Sequence, residues 1–292
     1  MKKTLLVILT MLSIILCACT QTHEESINCS LNNNLLSVHF IDVAQGDSTL
    51  LISPDNKTML IDAGDNFHGQ KVVDYLNRLN IKKIDILIGT HPDSDHIGGL
   101  DCVINNFDIG CFYMPNKSHN TNTFKDVLLA SKNKHLKINA AKSGIHFSLG
   151  KFINCSILSP MKIYNENNLC SLVVKSVYNS KSFLFTGDAE YENEQDMIKS
   201  NFNIKSSILK VGHHGSSSST SEAFLLKVKP DIAVISCKLN NKYNHPSEKT
   251  LTLLKKYNIP LYRTDKQGDI VLFCDGYKVF SYKKPLTKYN KW

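Results

Sequence analysis

Four side chains able to bind a metal ion fall within six consecutive positions of this chain, and no other feature limits the fold as strongly. They are His91, Asp93, Asp95 and His96. An apolar, β-branched run at residues 84–89 comes just before them and predicts a buried strand. A polar turn that caps the next helix would need only one such residue. We therefore predict a metal-binding loop at the end of a core strand, suited to zinc, manganese or iron rather than calcium.

Two more candidate ligand sites follow apolar runs further along the chain. Asp188 comes after a strand-like run and a glycine, where a carboxylate can approach a metal closely, although it could instead cap a helix starting near Glu190. His213 and His214 follow the run 208–211. Adjacent side chains of an extended segment point in opposite directions. On that basis we assign His213 to the metal and His214 to the substrate or to proton transfer.

The hydrophobic pattern predicts one mixed α/β domain without internal repeats. Strand-like runs lie near residues 35–43, 49–53, 58–62, 84–88, 109–114, 152–158, 171–178, 181–186, 206–211, 231–236, 260–263 and 269–274. Helix-like runs lie near residues 69–79, 97–106, 122–132, 190–200, 219–228 and 247–257. Hairpin-like early strands followed by alternating strands and helices favour two sheets with helices outside.

The N-terminus predicts export from the cytoplasm. Lys2 and Lys3 precede an apolar run at residues 5–16 that is too short for a stable membrane span. The junction at residues 16–19 resembles a bacterial lipobox, which places a lipid on Cys19. We predict a lipoprotein signal peptide at 1–18, a polar tether at 19–35, one folded domain at 36–282 and a basic tail at 283–292, with the protein anchored to the cell membrane. The alternatives are an ordinary signal peptide with secretion, or an uncleaved anchor.

Charge and cysteine content add weaker constraints. The formal net charge of +8 is compatible with a polyanionic substrate or an anionic surface, but solvated lysine-rich faces are common. The chain has 9 cysteines and no Cys-x-x-Cys motif. Several of them lie in apolar runs, so buried thiols are favoured over a zinc ribbon, and one disulfide stays possible.

The run 91–96 resembles the His-x-His-x-Asp-His motif of metallo-β-lactamase-fold hydrolases, with Asp93 in place of the second histidine. With the following residues 97–100, it is similar to the subgroup around the C-terminal hydrolase domain of ComEC-type competence proteins. Further blocks match in the same order, at residues 39–48, 60–64, 167–173, 185–190, 209–216, 244–246 and 263–265. The resemblance covers residues 36–282 and implies a four-layer αβ/βα sandwich.

The resemblance also implies a set of site residues and one or two divalent ions, zinc or manganese. The implied metal ligands are His91, Asp93, Asp95, His96, Asp188, His213 and His245, with Asp188 as a bridge. Asp95 and His214 are the implied catalytic residues. Asn168, Ser171 and Arg263 are implied substrate contacts, whereas Asp42 and Asp62 orient the ligand loop. A histidine expected between the first cluster and Asp188 is missing, so catalysis with one ion is possible.

Together these features predict a phosphodiesterase or nuclease that uses a metal-activated water, with DNA as a possible substrate. One alternative is a hydrolase of another ester, such as a phosphorylcholine ester or a lactone. The other is a non-catalytic DNA- or surface-binding protein that keeps the fold.

Overall fold

The computed structural model describes residues 35–286. The predicted signal peptide, the lipidation site Cys19, most of the predicted tether and the last six residues lie outside this range. The strands are β1 Leu36–Phe40, β2 Thr49–Ile52, β3 Thr58–Ile61, β4 Lys83–Ile88, β5 Asp108–Pro115, β6 Ile138–Ala141, β7 His146–Leu149, β8 Ile153–Ser159, β9 Val173–Tyr178, β10 Lys181–Phe185, β11 Ile208–Lys210, β12 Ile232–Ile235, β13 Leu261–Arg263, β14 Ile270–Cys274 and β15 Val279–Phe280.

Eight α-helices connect these strands within the described range. They are α1 Gly69–Arg78, α2 Ser94–Ile97, α3 Leu100–Asn106, α4 Asn122–Asn133, α5 Tyr191–Lys199, α6 Glu222–Val228, α7 Glu248–Lys256 and α8 Thr264–Gln267. Short 3₁₀ turns occur at Asn168–Cys170 and Gly212–Gly215. None of the helices in this part of the chain has both the length and the apolar character needed to cross a membrane.

The strands form two mixed sheets that pack face to face. The first has the order β15-β14-β1-β2-β3-β4-β5-β6, and the second the order β13-β12-β11-β10-β9-β8-β7. Strands β3 to β6 are parallel to one another, as are β10 to β13. Every residue of β2 and β3 is buried, as expected for a sheet covered on both faces.

Three hydrophobic cores hold the layers together. The central core joins the two sheets and includes Phe40, Phe183 and Phe185. An outer core packs α1, α3 and α4 onto the first sheet, and another packs α5, α6 and α7 onto the second. The helices therefore cover the outer faces of both sheets, and the predicted αβ/βα sandwich is confirmed.

The strands absent from the sequence-based prediction have weak apolar patterns. β6 and β7 lie at sheet edges, and each has one buried residue, while β15 has two residues. The predicted helix at 97–106 is two helices, α2 and α3, because the chain turns at Gly98 and Gly99. A Cβ on Gly99 would lie 2.3 Å from the carbonyl oxygen of Ala63, so only glycine permits this close packing.

The cysteines of the described range are all free thiols, in agreement with the preferred prediction. Cys155, Cys170, Cys237 and Cys274 are buried, whereas Cys102 and Cys111 are partly exposed. Burial raises the pKa of Cys155 and of Cys237 to about 12, so these thiols stay protonated and unreactive at neutral pH.

Candidate metal centre

The candidate ligands meet at the carboxyl ends of parallel strands from both sheets. His91, Asp95 and His96 follow β4 of the first sheet, while Asp188 follows β10 of the second. His214 lies in the 3₁₀ turn after β11. The carboxyl edge is where open α/β sheets place their ligands, because loops from adjacent strands converge there.

The first ligand group consists of His91, His96 and Asp188, which are all buried and whose ligand atoms lie within 4.8 Å of one another. His91 Nε2 is buried, lies 3.9 Å from Asp188 Oδ2 and makes no hydrogen bond with any described residue. Burial, with a smaller effect from His96, lowers the pKa of His91 to about 4. His91 is therefore neutral at pH 7. A buried, unpaired imidazole nitrogen is costly unless it meets a cation.

The second ligand group consists of Asp95, His96 and His214. His214 Nε2 lies 3.4 Å from Asp95 Oδ2 and 3.3 Å from His96 Nε2. On the other side of the ring, His214 Nδ1 lies 2.9 Å from the carbonyl oxygen of Ser236. Donation of the Nδ1 proton to this carbonyl directs the Nε2 lone pair toward the carboxylates, as in histidine ligands of metal sites.

Asp188, a member of the first group, also approaches the second. Its Oδ1 is 3.2 Å from His96 Nε2, and its Oδ2 is 3.5 Å from His214 Nε2. It does not cap the following helix, because Glu190 is the N-cap of α5 and forms a capping box with Asn193. The arrangement fits a carboxylate shared by two ions, and the capping alternative is wrong.

The charges of the cluster balance only with protons or a cation present. Burial lowers the pKa of His214, but the carboxylates of Asp188 and Asp47 outweigh it and raise the pKa to about 10. Asp188 and Asp62 likewise raise the pKa of His96 well above its usual value. Burial opposes ionisation of Asp188, yet His214 and His96 keep its pKa well below the usual range. A divalent ion can replace the imidazole protons, so the donor set fits a metal.

Asp62 holds the ligand loop in place, as the resemblance implied. Its carboxylate accepts hydrogen bonds from the Thr90 amide at 2.8 Å and from the Thr90 hydroxyl at 2.7 Å. Its Oδ2 also lies 2.8 Å from His96 Nδ1. Asp42 lies in the loop after β1, where its carboxylate accepts a hydrogen bond from the amide of Ala44 in the same loop.

Asp47 and Lys210 form a buried ion pair that the sequence analysis did not assign to the site. Lys210 Nζ lies 2.6 Å from Asp47 Oδ2, and both side chains are buried. Asp47 Oδ1 lies 3.3 Å from His214 Nδ1. The available signal was Lys210 itself, since a lysine within the otherwise apolar strand β11 needs a buried acidic partner.

The geometry reverses the assignment of His213 and His214. Their backbones are left-handed, with φ of 47° and 52°, so the premise of an extended segment was wrong. Both rings approach Asp188 Oδ2, at 3.7 Å for His213 Nε2 and 3.5 Å for His214 Nε2. Only His214 belongs to a ligand group. His213 is partly exposed, and its Nδ1 lies 3.0 Å from Glu190 Oε1.

Asp93 and His245 lie at the edge of the cluster and outside the ligand groups. Asp93 Oδ2 is 3.7 Å from His91 Nε2, while its Oδ1 accepts a 2.6 Å hydrogen bond from Asn167. The ring centre of His245 lies 5.3 Å from that of His213. His245 Nδ1 is buried without a hydrogen-bond partner in the described range. Ligation by Asp93 and by His245 therefore stays a prediction.

The residues predicted to contact substrate make hydrogen bonds or an ion pair with other residues of the chain. Ser171 is fully buried, and its hydroxyl accepts a 3.1 Å hydrogen bond from the Asp188 amide. Arg263 is buried in a two-point ion pair with Asp265, at 3.0 and 2.8 Å. Asn168 donates to Glu190 Oε1 at 3.4 Å. The structure therefore corrects these assignments for Ser171 and Arg263, whose polar atoms support neighbouring residues rather than face solvent.

Comparison with known proteins places this geometry in a family. Residues 41–237 match the model of the metallo-beta-lactamase superfamily. The chain is 34% identical over 252 residues to ComE operon protein 3 of Bacillus subtilis, covering 80% of this chain and 32% of that protein. It is 29% identical over 263 residues to Recombination protein 2 of Haemophilus influenzae, covering 87% of this chain and 31% of that protein. The chain thus spans about a third of these relatives.

Among solved structures, the metallo-beta-lactamase fold protein YhfI from Bacillus subtilis is similar. The TM-score is 0.55 at 12% identity, with 82% of this chain and 100% of that chain covered. At this identity, the likeness concerns the fold alone.

Proposed function

The chain belongs to the metallo-β-lactamase superfamily, a fold that supports metal-dependent hydrolysis in general, and from that premise we propose that it hydrolyses phosphodiester bonds, with nucleic acid as its substrate. The relative named Recombination protein 2 supports this substrate class. The observation that carries the proposal is the pair of ligand groups that share His96, with Asp188 Oδ2 of the first group 3.5 Å from His214 Nε2 of the second.

We propose that the centre holds one or two divalent ions, zinc or manganese. His91, His96, Asp188, Asp95 and His214 would hold them, and Asp188 would be shared. A bound ion supplies a water of lowered pKa and positive charge for the phosphoryl oxygens. Carboxylates make up a larger share of these ligands than in an all-histidine site. The metal that the site prefers therefore shifts from zinc toward manganese.

Side chains near the ligand groups would orient the attacking water and deliver a proton to the leaving oxygen. Asp95 is partly exposed and would orient a nucleophilic water at the mouth of the site. His213 is also partly exposed, with Nε2 near Asp188 and Nδ1 beside Glu190. Glu190 would hold the His213 ring so that Nε2 delivers a proton to the leaving oxygen. This role moves from His214 to His213 because His214 is buried within the ligand cluster.

The test is hydrolysis of single- and double-stranded DNA and of bis-p-nitrophenyl phosphate by protein reloaded with zinc or manganese. Asp188→Asn keeps the side-chain shape but removes the charge, so we expect activity to fall by at least about 100-fold. Asp126→Asn, on the exposed face of α4, is the matched control and should keep full activity. Full activity of the Asp188 variant would refute the mechanism.

The same assay separates the alternatives. Turnover of p-nitrophenyl phosphorylcholine or a lactone without turnover of DNA would identify another ester as substrate. DNA binding without turnover in any metal would favour a non-catalytic protein, an alternative kept open because Ser171 and Asn168 occupy the stretch where a further histidine was expected.

We also propose that the protein is attached to the outer side of the cytoplasmic membrane through a lipid on Cys19. Supporting features are the charged and apolar leader and the residues at 16–19. Mass spectrometry of the N-terminal peptide should find acyl chains on Cys19. Cys19→Ser should abolish acylation, and Cys17→Ser should leave it intact. An unmodified Cys19 in membrane-extracted protein would contradict the attachment.

A further inference from the structure

We propose that the end of the molecule opposite the metal centre is a docking surface for anionic phospholipid headgroups. Parallel strands from both sheets end at the metal centre, so their first residues share the opposite end. Strand β10 has five residues, which at roughly 3.3 Å per residue sets the two ends about 17 Å apart. We call this opposite end the basic pole.

Lysines precede or begin most of the parallel strands at the basic pole. They are Lys57, Lys82, Lys137, Lys181, Lys205 and Lys229. Some acidic groups there are already neutralised by lysines. Lys57 Nζ and Lys83 Nζ each lie 3.5 Å from Asp85, and Lys181 Nζ lies 3.2 Å from Asp231. The loops at the metal end instead carry the carboxylates of the site. The lysines at the basic pole are thus separated from the carboxylates of the metal centre.

A polar cavity of about 410 Å³ opens at the basic pole between β9, β10 and β11. Lys175, Lys181, Lys205 and Lys229 line it together with several serines, and Asp231 is its one acidic lining residue. Lys175 is buried and donates to the carbonyl oxygens of Asn203 and Lys205, at 2.6 and 2.8 Å. Ammonium and hydroxyl groups around one cavity suit a phosphate group.

The described chain also enters the fold at the basic pole. Leu36 begins β1 and pairs with Cys274 at the end of β14. The following turn meets the start of β10, since the Ser180 amide donates to the Gly276 carbonyl oxygen at 2.9 Å. The leader and Cys19 precede this entry point in the sequence. An attachment before Leu36 would therefore present the basic pole to the membrane and turn the metal centre outward.

Two features favour a lipid surface over nucleic acid at the basic pole. Nucleic acid bound there would lie at the wrong end to offer a phosphodiester to the metal centre. In addition, Phe152 and Tyr277 are 46% and 67% exposed in turns beside Lys151 and Lys278. Aromatic side chains next to lysines are typical of residues at a membrane interface.

The test uses the full chain, extracted in detergent and mixed with vesicles of phosphatidylcholine alone or with added phosphatidylglycerol. The anchor contributes equally to both vesicles, so the ratio of the two partition coefficients isolates the basic pole. At low salt, Lys205→Glu with Lys229→Glu should reduce this ratio by at least about 25-fold, because the loss of each lysine alone weakens binding to an anionic surface about fivefold. Lys125→Glu with Lys142→Glu, an equal charge change at the metal end, should leave it unchanged.

An equal reduction in both double variants, or none in either, would overturn the proposal. Loss of DNA binding in the pole variant, without change in the vesicle ratio, would overturn it in favour of nucleic acid. The orientation at the membrane rests on the proposed lipid attachment. The effect of the lysine substitutions on vesicle binding can be refuted without refuting the proposed hydrolysis. The pole variant should hydrolyse bis-p-nitrophenyl phosphate at the normal rate, whereas Asp188→Asn should not, and unfolding temperatures confirm that each variant is folded.

Discussion

Protonation of individual histidines sets how the site responds to pH. Without metal, His91 is neutral, because burial lowers its pKa to about 4, whereas His214 is protonated, because Asp188 and Asp47 outweigh burial and raise its pKa to about 10. The proton on His214 therefore stabilises the metal-free fold fully below the usual pKa of 6.5, and this contribution is lost as the pH rises toward 10.

Metal binding should accordingly release protons and strengthen with pH. A metal and a proton compete for His214 Nε2, so affinity for zinc or manganese should rise with pH up to about 10. Calorimetry in buffers of different ionisation enthalpy measures the released protons. His146→Asn, at an exposed histidine in β7, should release the same number. Binding heats that do not depend on the buffer would contradict this protonation scheme.

The buried ion pair of Lys210 and Asp47 should matter far more than an exposed one. Lys210→Met leaves Asp47 buried without its lysine, so we expect a loss of about 3–5 kcal/mol in the free energy of unfolding. Lys256→Met, which breaks an exposed pair with Glu222, should lose less than about 1 kcal/mol. Urea denaturation measures both, and equal losses would show that the Lys210 pair is not a structural requirement.

At the residue scale, the sequence predicted a ligand cluster at 91–96, because four potential ligands in six positions have few other uses, and three of them, His91, Asp95 and His96, belong to the ligand groups. It could not order His213 and His214, because their left-handed backbone has no signature in the local sequence. Lys210 was missed for a related reason. Its acidic partner lies more than 160 positions away, and only the folded sheets bring the two together.

Among the elements, the turn between β1 and β2 supports the ligand loop. The Asp47 amide donates to the Asp95 carbonyl oxygen at 3.1 Å, and Gly46 has φ of 138°. A Cβ on Gly46 would lie 2.3 Å from that same oxygen of Asp95. The turn and the loop can therefore pack this closely only with glycine at position 46.

Gly46→Ala should displace the ligand loop and weaken metal binding by at least about tenfold, equivalent to 1.4 kcal/mol. Gly144→Ala is the matched control, because Gly144 also has positive φ, at 90°, but has nothing within 4 Å of the added Cβ. The control should lose only about 1 kcal/mol of stability from backbone strain. Metal titration and thermal unfolding of both variants check this, and equal metal affinities would refute the steric argument.

Predictability also differed between elements. Strands buried on both faces, such as β2 and β3, were found because continuous apolar runs are a strong signal. The edge strands β6 and β7 were not found, because their half-exposed residues lack that signal. The break between α2 and α3 depends on contacts of Gly98 and Gly99 with the preceding loop, which a helical pattern does not reveal.

For the whole molecule, the hydrophobic pattern favoured a mixed α/β domain with two sheets and helices outside, and the four-layer αβ/βα sandwich came from the family resemblance. The strand pairing is non-local: β1 joins β14, more than 230 positions later, and no local signal specifies such a partner. The net charge of the chain also does not indicate where the charged side chains lie in the fold. Several lysines lie at the basic pole, away from the metal centre, so the total charge by itself gives little support to a polyanionic substrate at the site.

The candidate metal centre takes its ligands from both sheets, so a bound ion should stabilise the whole fold. The first sheet contributes His91, Asp95 and His96, and the second contributes Asp188 and His214. An ion at 100 times its dissociation constant stabilises the fold by about 2.7 kcal/mol. For a domain of this size, each kcal/mol shifts the unfolding temperature by about 2–4 °C. Chelation should thus lower the unfolding temperature by roughly 5–10 °C, as differential scanning calorimetry can measure. Asp188→Asn should show a much smaller shift, because the shared carboxylate is lost. Equal unfolding temperatures with and without chelator in the unmodified protein would mean that no ion links the sheets.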